Sequence, residues 1–472
     1  MSRKNAWARS PVRRYPMRVC AVVSAATMAV AGLTASSVQA AGPSKKCSVV
    51  DLVAKINAAN SSPGADTIHL SGKCVYRLTA PDPSSPANGL PPITSEITIE
   101  GHGATITRDD SAPDFRILFV PSGGDLTLNK TTISRGRATD CPTFPGLAVC
   151  GGGISSLGTL TVNHSRVIKN TAESATLFAE AGGIDSDGTG KLNHTEVSGN
   201  VARYTGGALN SADAGGVSND GPLTVYRSRI VNNIVSITAN TGGFAFGAGL
   251  SSFAPTTVKQ SVISFNKAIA PGGTARGALA NAVPASTVMT VTDTVLEGNT
   301  ASAPGGTALG AAVASNAKLS MTDSRIIDNH ASAPGTTTAS GTAVGGGLSV
   351  GPVGDVALAD TTLRDNSVNA SGAGSSAVGG AINNSVGGTL RTVRTHIRGN
   401  TATTSGGGTA RGGGLFNGGT SLLQWSKVTK NKAGDGGGIY EDSGTVTLTS
   451  TTVTDNDPNN CSPSGSVPGC VN

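Results

Sequence analysis

Residues 290–301 read TVTDTVLEGNTA, and the chain keeps returning to that pattern, as SMTDSRIIDNHA at 320–331 and as ALADTTLRDNSV at 357–368. The shared core is Ser or Thr, any residue, Val/Ile/Leu, two residues, then Asn. Aligned on the closing asparagine, the units end at Asn170, Asn200, Asn233, Asn266, Asn299, Asn329, Asn366, Asn400, Asn431 and Asn456. The steps between them are 30, 33, 33, 33, 30, 37, 34, 31 and 25 residues.

A second marker keeps the same beat. Small residues, mostly glycine, precede one aliphatic at Ile154, Ile184, Val217, Leu250, Leu279, Val313, Leu348, Ile382, Leu415 and Ile439. Two markers in step at a spacing of roughly 20–50 residues signify a solenoid. The units are rich in Gly, Thr, Val, Ser and Asn, which favour strands and turns over helices. Short alternations such as Leu160-Thr-Val162 and Leu223-Thr-Val225 mark strands, and each unit offers about three of them. The fold class is all-β, a parallel β-helix with a short N-terminal capping helix.

Stacking coils about 4.8 Å apart turns equivalent residues into columns. An asparagine column can then form a hydrogen-bonded ladder, satisfying buried polar groups that would otherwise cost about 1–3 kcal/mol each. The glycines answer a different need. Either a corner demands φ > 0, or the backbone passes too close to its neighbour for a Cβ. Both columns read as scaffold.

The ends are of another kind. Residues 1–40 combine Arg3, Lys4, Arg9, Arg13, Arg14 and Arg18 with the apolar run CAVVSAATMAVAGL and then Val38-Gln39-Ala40. This predicts an export signal cleaved after Ala40, and a secreted, extracellular protein without a membrane span. Six of the 35 basic residues lie in that segment, leaving 29 against 29 acidic ones. A balanced mature chain lacks the positive bias that nucleic acid attracts, so nucleic acid is not an expected partner. Six cysteines in close pairs predict Cys47–Cys74, Cys141–Cys150 and Cys461–Cys470. Residues 41–91 read as an N-terminal cap, with the helix 48–60 presenting Val49, Leu52, Val53 and Ile56 behind the N-cap Ser48. Residues 92–456 are the repeats, and 457–472 a C-terminal cap closed by a disulfide.

The alternation of GG-[AI/L/V] with V-x-x-N resembles the repeat of polymorphic outer-membrane (Pmp-type) proteins. It is similar, more widely, to secreted bacterial right-handed parallel β-helix repeat proteins. The stretch CSVVDLVAKINAAN…GADTIHL…CVYRLT, followed by NGLPPITSEITIEGHGATI, resembles exported actinobacterial members of that set. The resemblance implies a right-handed helix over most of residues 47–456. It does not imply one activity, since such solenoids carry adhesins, lyases and hydrolases alike. No translocator barrel follows the repeats, so anchoring of the autotransporter kind is not implied.

One column carries chemistry-bearing residue types. It lies just before the Ser/Thr of each core: Lys130, His164, His194, Arg227, Gln260, Asp293, Asp323, Asp360, Arg394, Trp425 and Ser450. Asp293, Asp323 and Asp360 offer the oxygen donors that Ca²⁺ takes. Arg394, one coil on, could meet a substrate carboxylate, and Trp425 could stack a sugar. Such a set would suit a polysaccharide lyase or a glycoside hydrolase acting on an acidic polysaccharide. The plainer expectation is a turn column with surface ion pairs, on a non-catalytic, adhesin-like surface protein that binds an extracellular polysaccharide or cell-surface component. Between each Asn and the next glycine cluster run segments such as TASAPGGTA and TATTSGGGTAR, read as a fringe of small, flexible loops.

Overall fold

The computed structural model describes residues 47–207, 211–238, 242–281, 288–337 and 339–472. The predicted export signal, its cleavage point after Ala40 and residues 41–46 of the cap lie outside the described residues. The described chain is a parallel β-helix in which every strand pairs in register with its equivalent one coil away, as in Met289↔Leu319 and Leu296↔Ile326.

A complete coil has five strands, where the sequence suggested about three; the first and last coils lack the two middle ones. In one coil they are Val288–Thr292, Val295–Glu297, Thr300–Ser302, Thr307–Leu309 and Val313–Ser315. We number the corresponding faces one to five. Faces one and two form a single 24-stranded sheet, because the early strands Glu96–Arg108 and Asp125–Ser134 run through both. Faces three and four are nine-stranded sheets, and face five has twelve strands.

The extra strands come from the segments read as flexible loops. Faces three and four lie on one another as a flange beside the main barrel. Their inward residues are almost all alanine, such as Ala268, Ala301 and Ala331 facing Ala275, Ala308 and Ala343, and all six are 0% exposed. Through most of its length this two-layer interface holds nothing larger than a methyl; Val149, Tyr204, Val235, Ile237 and Val368 are the larger exceptions. The main core, enclosed by faces one, two and five, is built of Leu, Ile and Val.

The asparagine column sits where barrel meets flange. Asn299 accepts from Asn266 N at 3.0 Å and Asn266 Nδ2 at 3.1 Å, both on its Oδ1. Its own Nδ2 donates to Asn329 Oδ1 at 2.9 Å and to Ile263 O at 2.9 Å. The same bonds recur from Asn170 to Asn456. The ladder ends on Asn460, whose Oδ1 takes Asn456 N at 3.2 Å and Nδ2 at 3.0 Å. The glycines are the returning side of the same neck. A Cβ on Gly182 would lie 2.4 Å from Val201 O, and one on Gly183 would lie 3.0 Å from the Asn200 amide. The residue before them is left-handed, with φ of +60° at Gly345 and +50° at Ala181. Both needs named for the glycines are therefore met, at successive residues. Ala311-Ala312 occupies the neck in one coil, so the close approach yields locally.

A third column is made of hydroxyls. Ser261 Oγ accepts from Ser228 N at 3.1 Å and donates to Lys259 O at 2.8 Å. This is the role of the Ser/Thr in the repeat.

The ends are closed as their sequences suggest. The helix Val49–Ser61 has Ser48 as N-cap, its side chain accepting from Asp51 N at 3.1 Å, and it buries Leu52 and Ile56 on the first coil. The disulfides are Cys47–Cys74, Cys141–Cys150 and Cys461–Cys470. No helix among the described residues is long and apolar enough to cross a membrane.

Two substitutions test this architecture. Asn299→Ala orphans the Asn266 donors and Ile263 O in a fully buried site, and each orphan costs about 1–3 kcal/mol. We expect a loss of about 3 kcal/mol or more in urea unfolding. Ala308→Leu overfills the flange and is expected to cost about 1–3 kcal/mol. Ser302→Leu, on the outer side of the same flange, should cost far less.

Candidate functional site

The column singled out in the sequence is a corner. Its eleven residues, from Lys130 to Ser450, all have φ between +47° and +52°, the left-handed turn that joins face one to face two. Their side chains point to solvent on a convex ridge. Asp360 and Arg394 form a bidentate pair, Nε–Oδ1 2.7 Å and Nη2–Oδ2 2.6 Å, which holds Asp360 below the usual carboxylate range. An exposed pair of this kind is screened by water and contributes little to stability. Asp293, Asp323 and Asp360 do not bring carboxylate oxygens together as a trio. Trp425 stands 55% exposed on the same ridge. His164 and His194 stack there with ring centroids 4.6 Å apart. The ridge aligns these groups but encloses nothing between them.

The concave feature lies elsewhere. The last residue of each face-four strand and the middle residue of each face-five strand both point outward, and the flange turns them toward one another. A furrow runs between them along the axis. Its lining changes from coil to coil.

At its N-terminal end the furrow gathers carboxylic acids. Glu180 and Asp213 are register partners on face four, and Asp185 stands opposite on face five. All three are at most 4% exposed. Ser218 Oγ donates to Glu180 Oε1 at 2.8 Å, and Ser155 Oγ to Asp185 Oδ2 at 3.0 Å. Asp187 and Asp220 follow in the adjoining turns and are more open. Thr143, in the loop closed by Cys141–Cys150, donates to Asp187 and so covers this end.

Burial disfavours the ionised forms. It pushes Glu180 up to about 8, helped by the neighbouring Asp213. Asp213 rises to about 7 through burial, against the Ser251 hydroxyl and the Ala214 N–H. Burial and Glu180 hold Asp185 well above the carboxylate range. Burial, and then Asp187, brings Asp220 up to about 6. Arg116, 0% exposed, is the nearby cation; it pairs with Asp140 at 2.7 Å and donates to Cys150 O. The one trio of described His, Cys, Asp or Glu side chains with converging ligand atoms is Cys141, Cys150 and Asp185, and its two sulfurs are spent in the disulfide.

Further along, Phe246 carries the Arg276 guanidinium, 5.1 Å from its ring centroid. Leu309 and Val344 follow. At the C-terminal end Phe416 and Tyr440 stack at 5.6 Å, with Arg411 4.8 Å from the Tyr440 ring. Of the 16 aromatic residues in the chain, Phe246, Phe416 and Tyr440 line this stretch of the furrow. The furrow escaped the sequence reading because its two walls come from different positions of the repeat. The signal that could have found it is the residue just before each αL-glycine corner, read together with the residue after each marker aliphatic.

Comparison of the chain with protein-family models, with curated proteins and with solved structures finds no match.

The acid end makes stability depend on pH. The folded-state pKa values are raised above the unfolded ~3.9–4.3, so the folded protein binds more protons than the unfolded chain between those limits. The stabilisation is complete below about pH 4 and is lost as pH rises through about 6 to 8. We expect the melting temperature to fall between pH 5 and 9, and Glu180→Gln to flatten that fall. Calorimetry that shows an equal slope in both proteins would remove the acid end as its source.

Proposed function

We propose that the protein binds an extracellular polysaccharide along the furrow, without catalysing a reaction on it. The observation that carries this reading is the lining itself: at two places along the furrow an aromatic face stands with an arginine, Phe246 with Arg276 and the Phe416–Tyr440 stack with Arg411. A linear sugar polymer lying along the coil axis would meet both places at once. Aromatic faces supply apolar area at low entropic cost, and arginines supply directed donors. Export fits the three disulfides, which persist in oxidising compartments. It also fits the resemblance of the repeat to secreted bacterial β-helix proteins of the Pmp type, actinobacterial members included. The adhesin-like role belongs to this reading, with the rod presenting its furrow to a cell-surface glycan.

A second reading rests on Asp187 and Asp220. They occupy equivalent turns of adjacent coils, about 4.8 Å apart along the axis, and the Asp220 carboxyl is held near 6 at the furrow's edge. Carboxyl groups about 5–5.5 Å apart are the pair a retaining glycoside hydrolase uses, and burial raises both acids. On this reading Asp220 is the acid and Asp187 the nucleophile. Glu180, Asp185 and Asp213 are too deeply covered to touch a substrate.

Affinity electrophoresis against a panel of plant and bacterial polysaccharides tests both readings, alongside a reducing-end assay. Binding reduced about tenfold by Phe416→Ala, with no new reducing ends, is the expected result; tenfold corresponds to about 1.4 kcal/mol, the upper range for an aromatic stacking contact. Reducing ends that vanish in Asp220→Asn would establish the hydrolase instead.

A further inference from the structure

Midway along the furrow a cavity of about 150 Å³ opens between Arg276 and Leu309 on one wall and Ala314, Asn316, Ser349 and Pro352 on the other. Two of its polar atoms lack partners. Arg276 Nε is buried without an acceptor, and Asn316 Oδ1 is buried without a donor. Among the described residues no carboxylate pairs with Arg276, and none of the undescribed residues is acidic. The contrast with Arg116 is direct. In the same furrow that guanidinium has an aspartate at 2.7 Å and backbone carbonyls from Asp140 and Cys150.

An unpaired cation in a recess is costly, because desolvation is not offset by a counter-charge. Burial accordingly draws the Arg276 pKa down, with no acid nearby to oppose it. The side chain is nevertheless held in place. Its strand, Thr274–Arg276, pairs in register on both sides, and Phe246 backs the guanidinium plane. Neighbouring coils put Leu309, Val344 and Val378 at the equivalent position, so the fold itself does not call for a cation there.

We propose that this cavity is the subsite for the carboxylate of an acidic sugar. The guanidinium fork takes the carboxylate, a geometry arginine matches with two parallel N–H···O bonds. The Asn316 carbonyl accepts from a ring hydroxyl of the same sugar, and Phe246 stiffens the fork from behind. The ligand class is a uronate-containing polysaccharide. This deepens the furrow reading above and rests on it.

The test compares oligogalacturonate and oligoglucuronate with their carboxyl-reduced, neutral counterparts, by calorimetric titration on the full chain. At least one acidic probe is expected to bind tenfold or more tightly than its reduced form. Arg276→Gln should abolish that difference while leaving the neutral affinity in place, and Arg276→Lys should keep part of it. Since Gln removes an unpaired buried charge, the melting temperature of that variant should be equal to or above the parent's. A purely structural arginine would lower it. If acidic and reduced probes bind alike, and Phe416→Ala weakens both, the furrow stands and the carboxylate subsite is wrong. An acidic preference that survives in Arg276→Gln also overturns it. If neither kind of probe binds, the furrow reading falls and the subsite with it.

Discussion

The amide of one asparagine per coil decides the shape of this molecule. Its Oδ1 takes two donors from the preceding coil, and its Nδ2 reaches both the following asparagine and a backbone carbonyl. Only a short side chain with donor and acceptor on one carbon can do this. Aspartate has no donor, and glutamine places its amide a methylene too far. Because the ladder satisfies the buried backbone at the neck, the chain can leave the barrel there, form two more strands, and return past the asparagine amides through glycine. The flange, its alanine interior and the furrow between flange and barrel all depend on that exit.

The same economy explains the left-handed corners. A non-glycine residue at φ near +50° carries a cost, yet Lys, His, Arg, Gln, Asp, Trp and Ser all occupy one such corner. The strands on either side are locked by ladders of backbone, hydroxyl and amide bonds, so the corner is over-determined and its residue is free to vary. A variable, polar, exposed column follows from the geometry of the turn. The acidic run Asp293, Asp323, Asp360 belongs to it, and aspartate tolerates the left-handed region better than most residues.

The repeat, the stacking, the caps and the disulfide pairs were legible because each is written at a fixed position of the repeat or in a local spacing. The alanines of the flange were equally regular, two residues after each ladder asparagine at Ala268, Ala301 and Ala331. They read as loop because small residues beside Gly, Ser and Pro carry no hydrophobic alternation. A five-strand coil therefore passed for three strands. The furrow was illegible for another reason. Glu180 and Asp185 are five residues apart on two strands that a glycine corner folds together, and Arg276 meets its neighbours only through coils 30 or more residues away. A column search along equivalent positions finds ridges. A groove between two columns needs the angle at which the sheets meet.

That angle also assigns different tasks to the N-terminal end of the furrow and to its middle. The three buried carboxyls at the first end have their ionised forms disfavoured by being shut away, and each is within reach of a serine or threonine hydroxyl or another acid, so this end closes on itself under the Cys141–Cys150 loop. Arg276 is the opposite case, a permanent charge beside a cavity of the same furrow, its Nε buried without an acceptor. Had both been scaffold, pairing them would have been the cheaper solution, since Asp213 and Arg276 lie in the same outward column only two coils apart. Phe246 stands between them and keeps them separate. A furrow that shuts its acids away and leaves its arginine unpaired is one whose positive site is left for a group that comes from outside.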